Sequence, residues 1–250
     1  MSNIMRTSNP ALNAETFASF NAIASSRTMT LEGTATKAAI LLALVAFSAT
    51  YTWNLVQGAA PQQVVPWIVG GSIAGLVMGM ITIFKKEWAA GTAPLYALAE
   101  GLLLGAISSY YERQFHGLVF QAVTLTFGTL AMMLFAYGTG IIRATAKFKM
   151  GVFAATGGIF MLYLVNMVMG FFGSGMPFLY SNGLLGIGVS VVIVIVAALN
   201  LILDFDFIET GVQRGAPKYM EWYGAFSLMV TLIWLYLEML RLLSKMRSRN

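Results

Sequence analysis

Ten carboxylates are all the acid that this chain of 250 residues carries, and a few of them stand where an acid can do chemistry. Asp204, Asp206 and Glu209 close the stretch Asn200-Leu-Ile-Leu-Asp-Phe-Asp-Phe-Ile-Glu. That stretch follows an uncharged apolar run from Gly183 that is long enough to cross a bilayer. Glu100 stands inside another apolar run, 93–110, roughly 9 Å from its start at the helical rise. An ionisable group at membrane depth is costly to bury, so it is a functional candidate by default. Its ordinary escape from the cost is to take up a proton. Asn200 lies one helical turn before Asp204 and on the same side of the helix. With the amino terminus inside, Glu100, Asn200 and Asp204 fall at similar depths, and no Lys or Arg lies in a span core to neutralise them. The expectation is therefore a carboxyl pair, Glu100 with Asp204, that titrates as one unit. Such a pair could hold a proton or a cation.

Other readings of the polar residues are plainer. Asp206 and Glu209 are expected as solvated loop acids. Glu238 is three residues before Arg241 and is expected to pair with it. Asn166 is expected to bond another helix, and the single histidine, His116, to sit exposed in a loop. Cysteine is absent, which excludes disulfides and thiolate chemistry. No nucleophile–base pair, phosphate loop or metal-ligand spacing appears, so neither a metal nor another cofactor is expected. An intramembrane hydrolase would need a second motif that is missing, and the chain is expected not to be an enzyme.

The elements that must position these groups are membrane helices. Apolar residues make up 58% of the chain and charged ones 10%, against about 25% charged in soluble domains. A span needs about 20 apolar residues. Seven runs qualify: 38–57, 64–84, 93–110, 117–137, 151–173, 183–203 and 222–240. Only helices or closed barrels satisfy the backbone in lipid, and no even alternation of polar and apolar residues argues for strands. The expected organisation is a polar arm at 1–36, a membrane domain at 37–243 and a short basic tail at 244–250. No cleavable leader is expected, because residues 1–36 are polar and lack an apolar core. Gly211 is expected to stop the sixth helix and Pro217 to open the seventh. Glycines four apart, Gly71, Gly75 and Gly79, then Gly101 and Gly105, suit close helix packing within the chain. The net charge of +5 reads as orientation and not as a nucleic-acid signal. An inside amino terminus puts ten basic residues in the cytoplasm against five outside.

Two stretches resemble the bacterial branch of the Bax inhibitor-1 family. One is Pro94-Leu-Tyr-Ala-Leu-Ala-Glu-Gly-Leu-Leu-Leu-Gly-Ala-Ile-Ser in the third span. The other is Leu203-Asp-Phe-Asp-Phe-Ile-Glu followed by a last span ending Leu-Glu-Met-Leu-Arg-Leu-Leu. The resemblance covers roughly residues 38–243. It implies an all-α integral membrane protein, a bundle of seven transmembrane helices with the last helix central. It also implies a multi-pass protein of the cell inner (plasma) membrane. In that family an aspartate on the sixth helix and one on the seventh latch a pH-sensitive, calcium-permeable leak. Asp204 matches the first, while Thr231 stands at the place of the second. The resemblance therefore implies a cation leak for Ca2+ or H+ in the lipid bilayer. As the alternative it implies a non-transporting partner or substrate of a membrane-anchored FtsH-type protease.

Overall fold

Peptide groups in hydrocarbon have no water to bond, so each long apolar run must close its own backbone hydrogen bonds. The computed structural model describes residues 28–56, 61–173, 175–176, 179 and 181–249, and it shows this outcome. The helices are α1 (Leu31–Val56), α2 (Pro61–Phe84), α3 (Ala89–Gln114), α4 (Leu118–Gly138), α5 (Ala146–Phe171), α6 (Leu184–Gln213) and α7 (Met220–Arg249). A short 3-10 turn, Lys86–Trp88, joins α2 to α3. Among the described residues, these seven α-helices are long and apolar enough to span a membrane.

The last helix is the axis of the bundle. It packs against α1, α3, α4 and α6. Its side chains join two apolar clusters. Met229 and Ile233 meet Leu41 of α1 and Ala93 and Ala97 of α3. Leu235 and Leu240 meet Leu118 of α4 and Leu201 and Ile202 of α6. Large apolar residues on the outside, such as Phe120, Phe153 and Phe171, remain exposed, as a lipid-facing surface requires.

Small residues set how closely α3 approaches its neighbours. A Cβ on Gly101 would run into Ser48 and the Val45 carbonyl of α1, and one on Gly105 into the Ala49 carbonyl. A Cβ on Gly71 of α2 would lie 3.0 Å from the Ala99 carbonyl oxygen. The glycines therefore serve packing inside the chain.

Several boundaries differ from those the sequence suggests. Helix α1 begins at Leu31 and not near 37. Met29 is buried, and its N–H donates to the Ala216 carbonyl at 2.7 Å. Thr28 forms an isolated bridge with Pro217. Residues 28–36 thus belong to the membrane domain, while the rest of the expected arm lies outside the described residues. Helix α6 runs ten residues past Leu203, and the turn comes at Gly215 with φ +64°. Gly211 stays helical and leaves room for the Met29 sulfur. Pro217 precedes α7 by three residues instead of opening it. Helix α7 continues to Arg249, and Lys245 is buried, so no separate tail begins at 244.

Candidate functional site

The acidic run does not form a loop. Its three carboxylates sit within α6 at about 100° per residue, so they point to three different helices. Asp204 turns to α7, where the Ser227 hydroxyl donates to its Oδ1 at 2.6 Å. Asp206 turns to α5 and pairs with Lys149. Glu209 turns to α4 and accepts from the Tyr137 hydroxyl. The expectation of solvated acids at 206 and 209 is thus corrected. Extending the helix carries both positions to partners on neighbouring spans.

Asp204 is the least settled of the three. It is 7% exposed. Among the described residues its Oδ2 is the one fully buried side-chain oxygen or nitrogen left with no hydrogen-bond partner. Thr231, one turn after Ser227 on α7, approaches the same carboxyl. An unmet acceptor in such a place usually marks strain, function, or a position for a proton, water or ion. Asn200 turns away from it. Its amide donates to Thr156 of α5 and to the Val196 carbonyl, both at 2.8 Å.

Glu100 and Asp204 lie at comparable distances from the ends of their helices. Glu100 is eleven residues into α3, roughly 16 Å, and Asp204 nine residues from the end of α6, roughly 14 Å. They are nevertheless not brought together. Glu100 bonds Tyr96 on its own helix and lies where Gly75 of α2 has no side chain. Asp204 faces α7. The expected carboxyl pair is therefore not formed, because α7 packs against both α3 and α6 and takes up the faces that would have met.

Polar groups continue along the α5–α6–α7 seam toward the other end. Thr231, Glu238 and Lys245 are spaced seven apart on α7, two helical turns each. Glu238 is 2% exposed, accepts from Tyr163 of α5 at 2.8 Å, and pairs with Arg241 at 2.9 Å as its spacing suggested. Lys245 donates to the Leu179 carbonyl at 2.6 Å, the Gly186 carbonyl at 3.0 Å and the Ser190 hydroxyl at 2.8 Å. The sequence hid these partners. A Tyr or Ser in an apolar run signals nothing until the facing helix is known. Asn166 accepts from the Met176 N–H at 3.0 Å, in the segment after α5 and not on another helix as expected.

A carboxylate missed in the sequence is Glu221, at the start of α7 and fully buried. It accepts from the Thr30 N–H at 2.9 Å and hydroxyl at 2.8 Å. It also pairs with Lys37, and with Lys218 at 3.0 Å. Gly33 makes room for it, since any Cβ there would meet the carboxylate. Lys218 three residues ahead was the only local signal.

A protein-family model described as Bax inhibitor 1 like matches residues 9–248. Comparison with curated proteins gave no match.

Proposed function

The chain belongs to the Bax inhibitor 1 like family, and from that premise we propose that it is a pH-sensitive cation leak and not an enzyme. One observation carries the reading. Asp204 is buried at the α6–α7 contact with Oδ2 unmet, and Thr231 stands beside it. A protonated carboxyl is neutral and packs in a dry seam. An ionised one demands water or a cation, because a buried charge without a partner is very costly. Loss of the proton therefore favours a state in which α6 and α7 part around Asp204. The oxygen groups of Thr156, Tyr163 and Glu238 offer a passing cation partners along the same seam. The closed contact and the wetted one are the two states that pH biases. Thr231 supplies a hydroxyl where a second carboxylate would repel the first. The switch here is accordingly one acid facing hydroxyls and not an acid pair.

Purified protein in liposomes tests this reading. Loaded vesicles should show Ca2+ or proton flux that rises as pH increases through the range where Asp204 ionises. Vesicles that stay tight at every pH would reject the leak and favour the protease-partner alternative.

A further inference from the structure

The leak reading leaves unused a cleft where α5 begins and α6 nears its end. It is an open cleft of about 560 Å3. Lys149, Asp206 and Arg214 stand at its rim, with Met150, Phe153 and Phe207 among its apolar walls. The Arg214 side chain has no carboxylate partner among the described residues. Lys149 spends one of its three ammonium donors on Asp206, and its side chain remains 44% exposed. Two cations against one carboxylate leave the rim positive. Met150 and Phe153 are 69% and 77% exposed, so the apolar wall faces outward and not into the core.

This arrangement, cations near the helix ends with Met150 beside Lys149, Phe153 one turn further into α5 and Phe207 two turns back from Arg214, matches one kind of ligand. A free phosphate would use the rim and ignore the wall. An acidic peptide would have no reason to reach membrane depth. A phospholipid lying in the same leaflet uses both. Basic pockets between transmembrane helices suit anionic head groups for this reason. We propose that the cleft binds an anionic phospholipid, with its phosphate between Lys149 and Arg214 and an acyl chain along Met150, Phe153 and Phe207. The headgroup competes with Asp206 for the Lys149 ammonium. This site stands independently of the leak.

The test is lipid retention by the full-length protein, read by native mass spectrometry. Phosphatidylglycerol and phosphatidylcholine of identical chains serve as probes, with inorganic phosphate as competitor. The wild type should keep phosphatidylglycerol in preference to phosphatidylcholine, and phosphate should not displace it. Each basic residue near a membrane surface contributes about a fivefold effect. Lys149→Gln with Arg214→Gln should therefore weaken phosphatidylglycerol retention roughly 30-fold. Arg214→Gln alone breaks no ion pair and should weaken it about fivefold, which keeps the test open if the double variant fails to fold. Asp206→Asn frees Lys149 and should strengthen retention. Equal retention of both lipids, unchanged retention in folded Arg214→Gln, or displacement by phosphate would each overturn the site.

Discussion

At the scale of single residues, the chemistry rests on Asp204 and the two hydroxyls that face it. The Ser227 hydroxyl donates to the Asp204 carboxyl at 2.6 Å, and Thr231 approaches the same carboxyl. Ser227→Ala should leave a buried acceptor unmet and lower stability by about 1–3 kcal/mol, seen as a reduced melting temperature in detergent. Thr231→Asp should place a second carboxyl against the first. Two such groups share a proton and titrate as a pair, so the pH profile of flux should shift and split into two steps. A profile unchanged from wild type would show that position 231 does not face the switch. Glu100 bonds Tyr96, Asp204 bonds Ser227, and among the described residues no hydrogen bond or ion pair joins the two groups. The stability effects of Glu100→Gln and Asp204→Asn should therefore add within about 0.5 kcal/mol, as independent sites do. A larger coupling in the double variant would revive the pair that the sequence suggested.

At the scale of elements, the α6–α7 hairpin is held by the segment before α1. Met29 fills the space left by Gly211 and Gly224, and Glu221 gathers Thr30, Lys37 and Lys218. Breaking a buried ion pair by removing one partner costs about 3–5 kcal/mol. Lys218 is 47% exposed and can return to water, so Glu221→Ala should cost nearer about 2–3 kcal/mol. Thermal unfolding in detergent checks this, and an unchanged melting temperature would show that the clamp is idle. The seven spans were legible in the sequence because hydrocarbon demands a fixed apolar length. The helix ends were not. An apolar run reports where lipid lies, whereas α6 continues from Leu203 to Gln213 because Asp206 and Glu209 find partners on α5 and α4. The site was legible in part. Asp204 was singled out from its place after an apolar run, and Thr231 from the family resemblance. Ser227 was not, since which helix faces α6 is a property of the bundle and leaves no mark on local spacing.

At the scale of the whole molecule, the basic residues at the ends of α1, α2, α5 and α6 gather at one end. Lys37 reaches Glu221, Lys86 lies 5.3 Å from the Tyr223 ring, and Lys149 reaches Asp206. This end is expected in the cytoplasm, where positive loops are retained. The chain has no cysteine, so single cysteines at 87 and 144 report cleanly. They should resist an impermeant reagent in intact cells, and a cysteine at 116 should react. The reverse pattern would invert the orientation. The membrane end of Asp204 would then face the opposite compartment, and the pH that matters would be that compartment's. The most direct test of the central claim compares the pH profile of Ca2+ and proton flux for wild type and Asp204→Asn in liposomes. The amide keeps the shape of the side chain and cannot ionise. The expected result is a wild-type flux that rises with pH and a variant flux that is low and flat. A variant that keeps the wild-type pH dependence would contradict the account, since the switch would then lie elsewhere.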